Sequence, residues 1–132
     1  MPRSESEHPT ELELEILKVL WDDSPLLVRD IRSRLAEFAD RELAHSSVVT
    51  MLNIMHRKGF VRRRKEGKAF LYAPKAQRDR VVNRMMKDML SKLFDDSPAA
   101  LMLSLLESTD VGADEIAELR KLIAKKAKEN KS

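Results

Sequence analysis

The chain contains no cysteine, three glycines, five prolines and six aromatic side chains, and its three histidines are scattered. The missing cysteine excludes disulfides and thiolate metal sites, and with them any sign of an oxidising compartment. His45 and His56 fall on one expected helix, about 16 Å apart along its axis, too far to share a metal. No apolar run approaches the ~20 residues of a membrane span, and the first residues are acidic, unlike a signal peptide. A cytoplasmic protein without membrane insertion is expected. Carboxylates are plentiful but sit on solvated helix faces with no motif pairing them. No catalytic residue, metal or cofactor is therefore expected, and the chain is read as not an enzyme. With 36% charged beside 42% hydrophobic residues in a length of 132, the chain suits one helix-rich domain, or one small domain plus an appendage, large enough to bury a core without staples.

What the chain has in quantity is charge, unevenly placed. Residues 1–24 hold two bases against seven acids, a net of −5, whereas residues 44–80 hold ten bases against two acids, a net of +8. A local basic block of this kind is the electrostatic footprint of a polyanion partner. It coincides with residues 44–74, which read as a helix, a glycine stop and two short strands around a Glu66-Gly67-Lys68 turn.

Along the chain, residues 1–9 are polar and expected to be disordered. Thr10 is an N-cap with Glu13 at the capping-box position. Leu12, Ile16, Val19 and Leu20 recur at helical spacing, widened by Leu17 and Trp21, and Trp21 is read as core. Leu26-Leu27 can pair briefly as an edge strand. A second helix, Val28–Phe38, turns Val28, Ile31 and Leu35 to one side, and residues 39–43 form a turn. In the third helix, His45–Lys58, Val48, Leu52 and Met55 make the apolar stripe. The opposite side shows Ser46, Ser47, Thr50 and Asn53, then His56 and Arg57. Small hydroxyl and amide groups near a helix N-terminus allow close approach to base edges and phosphates; capping is the alternative role for Ser46 or Ser47. In the hairpin, Val61, Phe70 and Tyr72 can pack on the helices while Arg62, Arg64, Lys65 and Lys68 face out, able to reach phosphates or a minor groove. The fold class expected is mainly α: a winged helix-turn-helix domain with a two-stranded wing over residues 10–74. Ser46, Ser47, Thr50, Asn53, Arg57, Arg62, Arg64, Lys65 and Lys68 are its candidate contacts to double-stranded DNA.

Residues 75–128 read as three further helices, with a disordered tail at 129–132. The first spans 75–94. The second, capped by Ser97 with Pro98 at N1, is apolar nearly all round, as a helix buried on several sides would be. The third starts after Gly112 and carries one apolar stripe. With no separate domain to cover, these faces are expected to meet a second copy in a two-fold homodimer. Val82, Met85, Met89, Leu93, Leu101, Leu105, Ile116, Leu119, Leu122 and Ile123 are the candidate dimerisation residues. A monomeric three-helix lid over residues 12–74 is the alternative.

Four co-linear stretches resemble the BlaI/MecI/CopY, or penicillinase-repressor, family. They are Glu11 to Trp21; Ser47-Val48-Val49-Thr50-Met51-Leu52 followed by Lys58-Gly59; Gly67 to Pro74; and Asp114 to Ile123. The resemblance covers residues 9 to about 126. It implies a dimeric winged-helix repressor that binds a TACA/TGTA-like DNA dyad in or near its own promoter. Typically a nearby gene encodes a membrane sensor with a metalloprotease domain, and cleavage in the C-terminal dimerisation region relieves repression. Ser46, Ser47 and Thr50 match the family's DNA-contacting helix, although many members have arginine where this chain has Ile54. The scissile bond aligns with Ser104-Leu105, where the best-known members have Asn-Phe. The cysteine-rich motif of the copper-responsive branch is absent. A ligand-sensing winged-helix regulator of the MarR/PadR type is the competing function; its mark would be an empty apolar pocket between the DNA-binding lobe and the dimer helices. A pure protein-interaction module would leave the basic wing unexplained.

Overall fold

Thr10 opens the first helix as its spacing from Glu13 predicts. The Glu13 N–H donates to the Thr10 hydroxyl at 3.3 Å and the Thr10 N–H donates to Glu13 Oε1 at 2.8 Å, a reciprocal capping box. The computed structural model describes residues 8–131, so most of the disorder expected at 1–9 lies outside the described residues. The elements in order are α1 (Glu11–Asp22), β1 (Leu26–Leu27), α2 (Val28–Phe38), α3 (His45–Lys58), β2 (Val61–Glu66), β3 (Ala69–Pro74), α4 (Arg78–Phe94), α5 (Pro98–Ser108) and α6 (Ala113–Asn130).

The helical periodicities place the core. Ile16, Leu17, Val19 and Leu20 from α1, Ile31 and Leu35 from α2, and Val48, Leu52 and Met55 from α3 meet Phe60, Val61 and Tyr72 from the sheet side. Burying each such side chain is worth about 1.5–3 kcal/mol. Trp21 is half-buried against this cluster, and its indole N–H donates to the Ala76 carbonyl at 2.9 Å. Between α2 and α3 the chain turns without glycine. Asp40 takes the left-handed conformation, φ 55°, and Arg32 Nε donates to the Leu43 carbonyl at 2.6 Å. Arg41 in the same turn donates to Glu15 at 2.8 Å, and this hydrogen bond and the Glu15 charge push the Arg41 guanidinium up from its ordinary value.

The sheet has β3 in the centre, with β1 and β2 antiparallel on either side. The two-stranded wing thus gains the short edge strand that Leu26-Leu27 suggests. Glu66 stands opposite Ala69, leaving Gly67 and Lys68 as a two-residue loop, with Gly67 at φ 64°. Gly59, at φ 85°, ends α3, and the Phe60 N–H donates back to the Met55 carbonyl at 2.9 Å.

One helix boundary differs from expectation. The fourth helix starts at Arg78, not at residue 75, and residues 75 and 76 tie the end of the wing back to the core unit instead. The N–H groups of Lys75 and Ala76 both donate to the Phe60 carbonyl, at 2.9 and 3.0 Å, and the Ala76 carbonyl receives Trp21.

The chain divides into two units, residues 1–86 and 87–132. The first holds the core just described and the start of α4, where Val81 is buried. The second holds the rest of α4 with α5 and α6. Ser97 caps α5 through its hydroxyl, which accepts from the Ala100 N–H at 3.1 Å, with Pro98 in the first turn. α6 continues to Asn130, taking in two residues of the tail expected at 129–132; Ser132 lies outside the described residues. Within the chain, α5 and α6 bury no residue. The cover expected for the apolar α5 is not supplied here, and Leu93 at 70%, Ile123 at 58% and Leu105 at 53% are open.

Candidate nucleic-acid interface

α3 begins without a side-chain cap, at Ala44. Ser46 and Ser47 lie inside the first turn and do not cap it, which leaves their hydroxyls available. No acid stands in that turn, and His56, Arg57 and Lys58 fill the last one. With Val48, Leu52 and Met55 fully buried, the 3.6-residue period turns Ser46, Ser47, Thr50, Asn53 and Arg57 outward, and all five are exposed. The face is small and hydroxylic at one end and cationic at the other.

The wing follows α3 and is joined to it. Opposite residues in the β2–β3 ladder share a side of the sheet, so Val61, Arg63 and Lys65 lie on the side of Tyr72 and Phe70, while Arg62 and Arg64 lie on the side of Ala73 and Leu71. Arg62, Arg64, Lys65 and Lys68 are exposed. Arg62, Arg63 and Arg64, with Ser24, Pro25, Leu71 and Ala73, line a cleft of ≈ 430 Å³. Cations arrayed along a protruding hairpin suit the sugar-phosphate backbone, where position rather than sequence is recognised.

Two features of this surface escape a linear reading. Arg63 is half-buried. Its Nη1 donates to Asn53 Oδ1 at 2.8 Å, and its guanidinium centre stands 4.5 Å from the Phe70 ring centroid. The alternation of β2 carried a signal for this, since it puts residue 63 on the side of buried Val61. The second feature is Lys58. Its Nζ donates to both Glu13 oxygens, at 2.9 and 3.2 Å, and lies 5.8 Å from the Phe60 ring centroid. Glu13 is only 1% exposed, so the last charge of α3 is tied to the first turn of α1. No local pattern announces a pair 45 residues apart.

The candidate dimerisation residues sit on α4, α5 and α6. Val82, Met89, Leu93, Leu105, Ile116, Leu119, Leu122 and Ile123 are exposed, and Met85 and Leu101 are half-buried. The Ser104-Leu105 bond lies inside α5, where the Ser104 carbonyl accepts from the Ser108 hydroxyl at 2.7 Å. Among the described residues no group of three or more metal-binding side chains comes together, and no helix is long and apolar enough to cross a membrane.

A family model described as penicillinase repressor matches residues 9–125. The transcriptional regulator BlaI of Mycobacterium tuberculosis (strain CDC 1551 / Oshkosh) is 34% identical over 116 residues, covering 86% of this chain and 81% of that protein. The methicillin resistance regulatory protein MecI of Mammaliicoccus sciuri is 25% identical over 114 residues, covering 86% of this chain and 91% of that protein. Among solved structures, a complex of RosR (hsRosR-S1) covers 94% of this chain and 96% of that one at 20% identity and a TM-score of 0.57, a likeness of fold.

Proposed function

Because the chain belongs to the penicillinase repressor family, we propose that it is a DNA-binding transcriptional repressor, homodimeric, that reads an operator dyad with α3 and grips the neighbouring backbone with the β2–β3 wing. The observation that carries this reading is the exposure of Ser46, Ser47, Thr50, Asn53 and Arg57 on α3 together with Arg62, Arg64, Lys65 and Lys68 on the hairpin that follows it. Its helical part offers the short polar side chains that base-edge contact needs, and its hairpin offers the cations that phosphates need.

The homodimer is supported by the open apolar residues of α4, α5 and α6, with Leu93, Leu105 and Ile123 each more than half exposed in the single chain. A two-fold pair would cover both sets at once and hold two copies of α3 at a fixed spacing, as a dyad demands. Relief by a membrane sensor metalloprotease belongs to the same proposal. Cleavage at Ser104-Leu105 would divide α5 and detach α6 from the pairing surface. A bond inside a helix must first be exposed by local opening, and α5 buries nothing within the chain to oppose that.

The test is a titration of the full-length protein against a duplex carrying a TACA/TGTA-like dyad and against its scrambled form, over a range of salt. Tighter binding of the dyad, with log affinity falling linearly with log salt, is expected from phosphate neutralisation. Equal affinity for the two duplexes would refute sequence-specific reading.

A further inference from the structure

The basic run Arg62 to Lys65 invites the view that all four side chains hold phosphates. Three of them are exposed, but Arg63 is half-buried and already has two partners. Its guanidinium lies over the Phe70 ring, 4.5 Å from the centroid, and its Nη1 donates to Asn53 Oδ1 at 2.8 Å. A guanidinium carries donors and no acceptor. The amide of Asn53 is thereby oriented: the oxygen faces Arg63, and the NH2 group is at the other edge of the amide plane. Asn53 itself is exposed, on the same helical face as Thr50 and Arg57.

We propose that Arg63 is a positioning residue for base recognition, acting through Asn53, and that Asn53 consequently favours a base edge that offers acceptors to its NH2 group. Guanine N7 and O6 and thymine O4 are such edges. Bidentate reading of adenine needs the asparagine oxygen to accept from N6 while the NH2 donates to N7; with one of that oxygen's two lone pairs already taken by the Arg63 guanidinium, the oxygen is the weaker half of such a pair, while the NH2 keeps both of its donors. The ring of Phe70 holds the guanidinium plane, so the amide orientation exists before DNA arrives and costs no ordering when it does. Arg63 thus differs in kind from Arg62 and Arg64, which face the other side of the sheet.

This inference rests on the DNA-reading function proposed above, and one experiment separates their failures. The full-length wild-type protein is used to enrich sites from a random duplex library. The enriched duplex and its single base-pair replacements are then titrated with the wild type, Arg63→Met, Asn53→Ala and the double variant at several salt concentrations. A position in each half-site is expected to prefer guanine or thymine. Arg63→Met and Asn53→Ala should each lower that preference by about tenfold, and the double variant should lower it no further. Affinity for a scrambled duplex and the salt slope should stay at wild-type values for Arg63→Met. If Arg63→Met instead weakens all duplexes alike and reduces the salt slope by about one, Arg63 is a phosphate contact and the inference is wrong. It is equally wrong if the two losses add, or if the preference abolished by Asn53→Ala is for adenine. Should Arg63→Met melt below the working temperature, Arg63→Lys keeps the charge without the planar fork and is read by the same criteria. Failure of the wild type to enrich any sequence overturns the repressor reading itself.

Discussion

Replacing Lys58 by methionine tests how α3 is held. Methionine keeps an unbranched side chain of similar length but removes the ammonium from Glu13 and from the face of the Phe60 ring. The carboxylate, 1% exposed, would keep, among the described residues, the hydrogen bond from the Thr10 N–H at 2.8 Å. Removing one partner of a buried ion pair costs about 3–5 kcal/mol. The Lys58 side chain is 27% exposed, so water already screens part of the interaction, and about 2–3 kcal/mol is the expected loss. In a chain of this size that corresponds to a fall of about 5–10 °C in Tm. Glu13→Gln should cost only about 1 kcal/mol, because the amide oxygen still accepts from Thr10 and Lys58 can turn to water. The double variant Glu13→Gln/Lys58→Met buries no charge and should be more stable than Lys58→Met alone. Urea unfolding at one fixed protomer concentration measures all four proteins on one scale. Lys58→Met within about 0.5 kcal/mol of wild type, or a double variant as unstable as the sum of the singles, would show that the pair does not hold the helix.

Three further outcomes are expected. Gly59→Ala meets no neighbour within 4 Å but places a side chain at φ 85°, so it should destabilise by about 1–2 kcal/mol in the same urea titration, with DNA affinity at saturating folded protein unchanged. Arg64→Ala should weaken binding to every duplex alike and lower the salt slope by about one, whereas Thr50→Ala should reduce the preference for the dyad; anisotropy titrations against matched and scrambled duplexes distinguish the two. Leu105→Glu places a charge on a residue 53% exposed in the single chain, so protomer stability should change by less than about 0.5 kcal/mol while the dissociation constant of the proposed dimer, followed by sedimentation, should rise roughly a hundredfold or more, since two copies of the side chain would leave the proposed interface.

The parts of the fold legible in advance are those written in short-range pattern. The capping box joins residues three apart, the stripe of Val48, Leu52 and Met55 repeats at the helical period, and Gly59 and Gly67 mark positive φ angles where the chain stops a helix and reverses a hairpin. The ties that orient these elements are long-range and polar. Glu13 reads as a capping residue, and nothing near it in sequence says that Lys58 shares its carboxylate. Trp21 reads as core, yet its N–H also reaches the Ala76 carbonyl, two residues before α4 begins at Arg78. In the wing, counting charges hides what counting in twos reveals. Arg62 to Lys65 is one basic run by composition, but by alternation it is two pairs on opposite sides of the sheet. Asn53 was legible as part of the exposed face of α3, while its engagement with Arg63 depends on how the hairpin folds back, which no spacing within either element specifies.

Those polar ties fall around one element. At its C-terminal end α3 is fixed to α1 by Lys58 and Glu13; along its exposed side it is fixed to the wing by Asn53 and Arg63; and the segment leaving the wing returns its N–H groups to Phe60, the residue just past the end of α3. Apolar burial supplies most of the stability of such a unit, but it is non-directional, and side chains such as Val48, Leu52 and Met55 tolerate small rotations of a helix about its axis. A hydrogen bond to a charged group does not tolerate them, because its strength falls steeply with distance and angle. Rotating α3 by one residue would carry Thr50 and Asn53 off the exposed face by about 100° and break both the Lys58 and the Asn53 contacts. Burial of Val48, Leu52 and Met55 decides which side of α3 faces outward, and the Lys58 and Asn53 bonds then fix the helix against the small rotations that burial alone tolerates.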